Sequence, residues 1–372
     1  MMTRVAPRVE VLLVRHMVAV KESFSKKYKL PSSDDVSKVI FLTYFSQFEP
    51  LAKKELQKLF KTNLYETPLS FPVQKEFAES LNNNEIRIVG NFHPEKSASI
   101  AHGYCASILR ILSSGELSKS KKSQIEKSLK SLDEIKHVRG NCIFWVNYFY
   151  DANKEMTLGM SLGIQRGLGG VISTLSLCYK LGIKKQLCMK LLTGVINQVI
   201  RIDHATKKTE LPTFWGNPKL KNARRSTCFY GDPGMGYVIT LAGLRCNKTS
   251  WVKNGKRLFT RGIKRTVKAS NVHDFTFGVG ACGLSHLAYR YFQMTGDTAT
   301  LIHAKRWLKI ADKMYEHLEI KRPLLRPGQS EKFGLHNTLQ GYYLVKWVQL
   351  GSIDSRWDSM YGLSNPISGE II

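Results

Sequence analysis

The sequence predicts an all-α fold built from helical hairpins. Three observations predict it: a short glycine motif recurs along the chain, its copies are separated by similar distances, and an apolar run follows each copy. Pairs of glycines three residues apart recur at 167–170, 231–234 and 280–283. Copies with a single glycine lie at 102–106 and 338–341. The copies begin at 103, 167, 231, 280 and 338, so that they advance by 64, 64, 49 and 58 residues. A period of this length, varied by insertions, is typical of helical hairpins that stack into one architecture.

Each glycine copy is followed by an apolar run that predicts an inner helix, at 107–112, 171–175, 235–239, 284–289 and 342–345. Outer helices are expected between the inner ones. The clearest candidate is 299–311, whose apolar residues are spaced by three and four. Glycine at a helix start permits close backbone approach, and the free N–H groups there favour anions. A ring of inward-pointing helix starts would therefore form a cavity that suits anions or thiolates.

The remaining segments carry weaker patterns. Residues 115–137 are rich in Lys and Ser, which predicts a solvated helix and a linker. Near the N-terminus, 44–56 has the pattern of an amphipathic helix, and 85–89 that of a short strand or a helix lead-in. We therefore expect 1–94 to be an N-terminal helical segment of the same fold.

The composition indicates a globular protein in a reducing compartment. Of 372 residues, 43% are hydrophobic and 10% aromatic, which excludes a disordered chain. No apolar run reaches the roughly 18 residues of a membrane span. The seven cysteines are odd in number and lack framework spacing, which predicts reduced thiols and a cytoplasmic location.

Positive charge is concentrated in one region of the chain. Lys and Arg total 56 against 29 Asp and Glu, a formal net charge of +27. Between Glu210 and Asp274 the only acid is Asp232, whereas thirteen basic residues fall there: Lys219, Lys221, Arg224, Arg225, Arg245, Lys248, Lys253, Lys256, Arg257, Arg261, Lys264, Arg265 and Lys268. Such clustering predicts a positive field at the mouth of the cavity that attracts acidic peptides, acidic proteins or nucleic acid. The alternative is charge that serves solubility alone.

Two blocks of the sequence resemble the zinc-binding blocks of lanthionine synthetase C-like proteins, cyclases that add a peptide Cys thiol to a dehydrated Ser or Thr. Residues 225–234, Arg-Ser-Thr-Cys-Phe-Tyr-Gly-Asp-Pro-Gly, are similar to the family's Trp-Cys-Tyr-Gly-Asp-Pro-Gly. In this alignment Phe229 takes the place of the first zinc-ligand Cys. Residues 274–284 resemble the block Cys-His-Gly-x-x-Gly, with Gly278 and Val279 in place of the ligand Cys and His.

A third block, 162–170, resembles the family's Gly-Leu-x-His-Gly-x-x-Gly, and here Arg166 takes the place of the proton-handling His. The resemblance covers roughly 95–365 and implies an α/α toroid, assigned to 95–372. It also implies a zinc ion held by three protein ligands, but Phe229, Gly278 and Val279 carry no donor atom. We therefore expect neither zinc nor another metal cofactor.

The family positions that survive are Arg225 and Tyr230. By resemblance the candidate catalytic residues are Arg166, Arg225 and Tyr230, with Asp232 a weaker candidate that is expected to cap the following helix. The candidate substrate-binding residues are Arg166, Arg225, Phe229, Tyr230, Gly278 and Val279. A displaced metal site is a minor alternative, because its four residue types suit zinc but lack short spacing; they are Cys228, His273, Cys282 and His286.

The leading hypothesis is a zinc-free lanthionine synthetase C-like protein in the maturation of a ribosomally synthesised peptide. It would bind an acidic precursor or leader peptide, or a partner dehydratase, as a pseudoenzyme. Metal-independent cyclisation is a further option, because Arg166 and Arg225 could stabilise charge on an acceptor carbonyl. Binding is favoured over catalysis because thiol activation would be missing.

Two hypotheses of other classes stay open. A basic nucleic-acid-binding or scaffold protein on the same toroid is suggested by the aromatics interleaved with the charge, Trp215, Tyr237, Trp251 and Phe259. A carbohydrate-active toroid enzyme would need paired carboxylates across the cavity. Only Asp232 and Asp274 lie near inner-helix starts, which makes this hypothesis the weaker one.

Overall fold

The computed structural model describes residues 97–100, 103–113, 116–150, 156–207, 209–217, 219–220, 225–321, 339–365 and 371–372. The predicted segment 1–94, with its elements at 44–56 and 85–89, lies outside these residues.

The described residues form ten α-helices, which confirms the predicted all-α class. They are α1 (Tyr104–Ser113), α2 (Lys119–Glu134), α3 (Leu168–Lys180), α4 (Lys185–Ala205), α5 (Gly231–Arg245), α6 (Thr249–Ile263), α7 (Val267–Ser270), α8 (Ala281–Thr295), α9 (Ala299–Lys321) and α10 (Leu339–Gln349). Every helix predicted after a glycine copy is present, and the predicted outer helix is part of α9. None of the helices among these residues is long and apolar enough to cross a membrane.

Two small antiparallel sheets accompany the helices. One is the hairpin of β1 (His137–Arg139) and β2 (Cys142–Phe144). The other has the strand order β3-β4-β5, formed by β3 (Asn147–Tyr150), β4 (Met156–Ser161) and β5 (Phe214–Trp215). Asn147 lies opposite Gly159, and Met160 opposite Trp215. The second sheet therefore links the chain just before α3 to the segment between α4 and α5.

Burial separates the helices into inner and outer ones. Every residue of α5 except Leu244 is buried, as expected of a helix enclosed on all sides. Its hairpin partner α6 is amphipathic and buries one stripe that includes Trp251, Leu258 and Phe259. The inner helices α3, α5, α8 and α10 pack in that order against their neighbours, and α4, α6 and α9 pack outside them. The Lys- and Ser-rich helix α2 also buries a stripe, formed by Ile125, Leu129 and Leu132.

The glycine copies have one common geometry, in which each glycine lies against the residue six positions earlier. At Gly167, Gly170, Gly231, Gly234 and Gly283, an added Cβ would lie less than 3.0 Å from the carbonyl oxygen of that residue. Gly103 has the same relation to Ser97, and Gly280 lies equally close to the side chain of Asp274. The loops before α1, α3, α5 and α8 therefore fold back onto their helix starts in the same way.

This repeat places the three functional blocks in one register. Arg166, Tyr230 and Val279 each stand directly before the first glycine of a pair, and Phe229 and Gly278 stand one residue earlier. Because the six-residue contact recurs at all three loops, these positions are equivalent within the molecule. The three blocks thus share one register within the molecule.

Candidate functional site

The loops that precede α3, α5 and α8 meet at one end of the inner helices. The amide of Ile164 donates a hydrogen bond to the carbonyl of Phe229 at 2.9 Å, which joins the first loop to the second. A Cβ on Gly163 would lie 2.7 Å from Cε1 of Tyr230, so the Tyr230 ring covers that glycine. A Cβ on Gly283 would lie 2.9 Å from Cβ of Cys228, which brings the second loop against the start of α8.

Arg166, Arg225 and Tyr230, which we name the rim cluster, come together at this end. Burial raises the pKa of Tyr230 above its ordinary value, and the positive charges of Arg166 and Arg225 oppose this rise only in part. The phenol therefore stays protonated at neutral pH. Arg166 is exposed and Arg225 half-buried, and the buried Nε of Arg225 has no hydrogen-bond partner among the described residues. The cluster offers two guanidinium groups and one hydroxyl donor to an anion.

Buried hydrogen bonds hold the Arg166 loop in place. The side-chain amide of Asn147 donates to the carbonyl of Arg166 at 2.8 Å. The hydroxyl of Ser97 donates a hydrogen bond to the side-chain oxygen Oδ1 of Asn147, also at 2.8 Å. Asn147 thus joins the loop before α1 to the loop before α3, and the backbone that presents Arg166 is rigid.

An aromatic cluster occupies the position of the predicted substrate-binding residue Phe229. We apply this name to Phe229, Phe277, His286, Trp357 and Tyr361. The Phe229 ring is fully buried, with its centroid 5.6 Å from that of Phe277 and 4.9 Å from that of Tyr361. Phe277 in turn contacts Trp357 at 5.0 Å and His286 at 5.6 Å between centroids. A ligand that reached Phe229 would have to displace Tyr361.

The positions that would hold zinc do not fit a metal ion. Phe229 and Gly278 are buried and Val279 is half-buried, and none of them has a side-chain donor atom. Across the part of the chain that the structure describes, no three His, Cys, Asp or Glu side chains are grouped to hold a metal. Burial raises the pKa of the neighbouring Cys228 thiol well above its ordinary value, so this thiol is protonated at neutral pH.

The four residues of the displaced metal site serve other purposes. His273 is exposed and contacts Asn271 at 2.6 Å, whereas His286 is fully buried beside Asp358. Burial also raises the pKa of Cys282 well above its ordinary value. His286 is thus a core residue.

A buried ion-pair network lies directly beside the aromatic cluster, and the sequence did not predict it. Its centre is Asp358, in the 3-10 helix Arg356–Tyr361. The Asp358 carboxylate lies 2.7 Å from Nε of Arg290 and 2.9 Å from Nε2 of His286, and it accepts a 2.7 Å hydrogen bond from Ser364. Burial would raise the pKa of Asp358, but Arg290, His286 and Ser364 outweigh it and hold the pKa below its ordinary value.

His286 is neutral in this network. Burial lowers its pKa, and the neighbouring Asp358 does not fully offset that effect. The imidazole therefore donates its Nε2–H to Asp358, while Arg290 supplies the positive charge that balances the carboxylate. One buried carboxylate and one buried guanidinium thus lock the C-terminal segment onto α8.

The C-terminal segment, by which we mean residues 356–365, contacts the three successive inner helices α3, α5 and α8. The hydroxyl of Ser173 on α3 donates to the carbonyl of Gly362, and that of Tyr237 on α5 donates to the carbonyl of Leu363 at 2.7 Å. At the far end of α5, Arg245 donates to the carbonyl of Ile371 at 2.8 Å. This segment brings Trp357 and Tyr361 to Phe229.

The predicted capping role of Asp232 is wrong. The N-cap residue of α5 is Tyr230, and the Asp232 carboxylate is fully buried in the first turn. It accepts hydrogen bonds from the amide of Leu211 at 2.9 Å, from Arg261 at 2.7 Å and from Arg265 at 2.8 Å. Asp232 therefore fastens α5 to the outer helix α6. A carboxylate saturated in this way does not suit proton transfer.

Both carboxylates on which the carbohydrate-active hypothesis depends, Asp232 and Asp274, are engaged by other residues. Asp232 is held by two arginines, and Asp274 accepts hydrogen bonds from the amide and the hydroxyl of Thr276, at 2.8 and 2.6 Å. These bonds close the loop before α8. A glycosidase needs two carboxyl groups that face the substrate, and these two groups are engaged elsewhere.

The predicted positive field at the mouth is smaller than the sequence suggested. Arg245 is buried at the opposite end of α5, where burial lowers its pKa to about 10. Arg261 and Arg265 are neutralised by Asp232, and Arg257 pairs with the buried Asp203 at 2.6 Å. Lys221 and Arg224 lie outside the described residues. Asp203 and Glu210, which pair with Arg257 and Arg265, lie outside the basic segment, so its composition could not reveal them.

The aromatics of the nucleic-acid hypothesis are part of the core. Tyr237 and Phe259 are fully buried, and Trp251 is 7% exposed. Only Trp215 is half-buried. Bases need an accessible ring face for stacking, so this region does not form a stacking platform for a single strand.

No protein-family model and no curated protein match the sequence. Among solved structures, the chain is similar to nisin cyclase, with a TM-score of 0.59 and 13% sequence identity over 95% of this chain and 84% of that chain. The chain has the fold of nisin cyclase. This likeness confirms the α/α toroid that the resemblance implied. The inner helices of this toroid are those that begin at the repeated glycines.

Proposed function

We propose that this chain acts in the maturation of a ribosomally synthesised peptide, as a zinc-free protein with the fold of nisin cyclase. It binds an acidic precursor or leader peptide, or a partner dehydratase, and does not carry out the zinc-dependent thiol addition. The observation that carries the proposal is the aromatic cluster around Phe229, which fills the position of the missing ligand. Beside it the rim cluster keeps two guanidinium groups at the loop ends.

The chemistry of these side chains favours binding over cyclisation. Thiol addition at neutral pH needs a thiolate, which a metal or a nearby base must generate. Phe229, Gly278 and Val279 offer no ligand, and the guanidinium of Arg166 is not a base. The rim cluster, in contrast, suits a carboxylate, because guanidinium groups bind carboxylates with paired hydrogen bonds. All seven cysteines are free, which supports a reducing compartment such as the cytoplasm.

Metal-independent cyclisation is the second candidate. Arg166 and Arg225 would stabilise the negative charge that develops on the acceptor carbonyl, and the protonated phenol of Tyr230 would donate a hydrogen bond to it. The substrate thiol would then have to lose its proton without a metal. Formation of a thioether in a dehydrated peptide, measured by mass spectrometry with the purified protein alone, would favour this candidate over binding.

The first test of the proposal is the metal content of the purified, untagged protein. We expect elemental analysis to find less than about one-tenth of a zinc ion per chain, because the three ligand positions have no donor atoms. A variant with Phe229→Cys, Gly278→Cys and Val279→His restores a three-ligand set in the same register and serves as the matched control. Close to one zinc per natural chain would overturn the proposed loss of the site.

The second test concerns the rim cluster. Arg166→Ala and Arg225→Ala should each weaken the binding of an acidic precursor peptide about tenfold, because each removes one charge-assisted contact. Fluorescence anisotropy of the labelled peptide measures this loss. Arg139→Ala, at an exposed position of the β1–β2 hairpin, is the control and should leave the affinity unchanged. Unchanged affinity in both rim variants would place the binding site elsewhere.

A further inference from the structure

The outer helix α6 presents a basic groove on the outside of the ring. One shallow concavity is lined by Lys253, Lys256, Arg257, Thr260, Arg261 and Lys264. Their spacing of three and four residues, with two adjacent pairs at 256/257 and 260/261, places them on a single face of the helix. This face is about 16 Å long, at 1.5 Å per residue. Five of the six side chains are cationic at neutral pH.

The charges of this α6 groove fall into two classes. The guanidinium groups of Arg257 and Arg261 both form ion pairs with the buried carboxylate of Asp203, with N–O distances of 2.6 and 2.8 Å. These ion pairs restrict the positions of the two guanidinium groups. Lys256 pairs with Asp297 at 3.0 Å. Lys253 and Lys264 are exposed and form no ion pair within the described residues. The groove therefore has paired arginines in its middle and an unpaired lysine, Lys253 or Lys264, at each end.

The groove is connected to the candidate site through α5. Arg261 binds the carboxylate of Asp232, which lies two residues after Tyr230 of the rim cluster. The C-terminal end of the groove is thus anchored to the start of the inner helix that carries the rim. The Phe229 side chain is fully buried against Phe277 and Tyr361, whereas the α6 groove is open to solvent. A chain that followed the groove would be directed toward the rim cluster.

We infer that the α6 groove binds an acidic segment of the peptide that the proposed function assigns to this protein. The inference rests on that function, and it separates two tasks: the groove holds the carboxylate-rich part of the peptide, and the rim cluster contacts another part. An extended segment of about five residues spans the groove, at roughly 3.3 Å per residue. Carboxylates suit the exposed ammonium groups of Lys253 and Lys264, and an acidic peptide needs no stacking surface, whereas Tyr237, Trp251 and Phe259 are buried.

The test uses the full-length protein and fluorescein-labelled hexaglutamate as the probe. The variant Lys253→Glu/Lys264→Glu reverses both uncompensated charges and should weaken probe binding about tenfold in fluorescence anisotropy at low ionic strength. The control, Lys119→Glu/Lys130→Glu on α2, has the same eleven-residue spacing and the same change in net charge. It should bind as the natural protein does. Lys253→Gln/Lys264→Gln should show a smaller loss in the same direction.

The outcomes separate this inference from the proposed function. If the α6 variant and the α2 control lost equal affinity for hexaglutamate, or if the natural protein did not bind it, the inference that the α6 groove binds an acidic segment would be wrong. Normal binding in the α6 variant with a loss in Arg166→Ala and Arg225→Ala would overturn the groove but leave the proposed function standing. A labelled oligouridylate that bound more tightly than hexaglutamate, and was lost in the α6 variant, would reassign the groove to nucleic acid. The zinc content is independent of all these results.

Discussion

Replacing Asp358 by asparagine should lower the free energy of unfolding by about 3–5 kcal/mol. The change removes the charge that balances Arg290, whose side chain is buried at 2.7 Å from the carboxylate. It also disturbs the hydrogen bonds from His286 and Ser364. A buried guanidinium without its carboxylate partner has lost its hydration, and no ion pair compensates for that loss. Equilibrium unfolding in urea, with the slope compared between variants, measures the loss.

Asp354→Asn is the matched control for this prediction. Asp354 lies four residues earlier in the chain and pairs with Arg356 at 2.7 Å, but both side chains are exposed. Surface pairs of this kind contribute about 0–1 kcal/mol, so the control should unfold almost as the natural protein does. The role assigned to the Asp358 network would be wrong if the two variants lost the same stability. Because Trp357 packs on His286 at 4.8 Å between centroids, its fluorescence should change in Asp358→Asn alone.

Gly231→Ala should destabilise the protein by about 3 kcal/mol, through backbone strain and a steric clash together. Gly231 has a φ of 76°, which side chains with a Cβ rarely adopt. An added Cβ would also lie within 3.0 Å of the carbonyl oxygen of Arg225. The loop between these two residues carries Phe229 and Tyr230, so it would have to move away from the start of α5. Urea unfolding measures the change.

Gly296→Ala separates the clash from the strain. Gly296 ends α8 with a φ of 70°, but an added Cβ there has no neighbour within 4 Å. Its cost should therefore be the strain alone, about 1 kcal/mol. If Gly231→Ala cost no more than Gly296→Ala, the loop would adapt without loss. The six-residue contact would then not be what holds the candidate site in register.

These two predictions concern different parts of the candidate site, the loops before the inner helices and the segment that carries Asp358. The glycine contacts set the positions of the loops that carry Arg166, Phe229, Tyr230 and Val279. The Asp358 network holds the segment that covers Phe229 from the interior. Without this cover the apolar ring of Phe229, which is fully buried, would lose its contact with Tyr361. Residues 225–234 and the C-terminal segment therefore act as one structural unit.

The helices and the loop repeat could be predicted from the sequence because both depend on local patterns. The apolar runs after the glycines had helical spacing, and α1, α3, α5, α8 and α10 lie where those runs predicted them. The glycines were informative because a contact six residues earlier leaves no room for a side chain. The strands escaped prediction because they have two to six residues and pair through register rather than through a strong pattern.

Side-chain partnerships were the least predictable part. Asp232 looked like a capping residue because its neighbours form a turn, but its partner Arg261 lies 29 residues away on another helix. His286 and Asp358 are 72 residues apart, and no local pattern connects them. The thirteen basic residues were counted correctly, but the buried acids that neutralise some of them lie outside that segment.

The sequence by itself determined the helical repeat and the common register of the three loops that carry Arg166, Tyr230 and Val279. Local sterics and side-chain chemistry decide these features, and both can be derived from adjacent residues. Only the tertiary structure decided that the aromatic cluster fills the interior, that Asp358 locks the C-terminal segment and that free charge lies on α6. These depend on contacts between distant segments, whose energies arise from burial once the helices have packed.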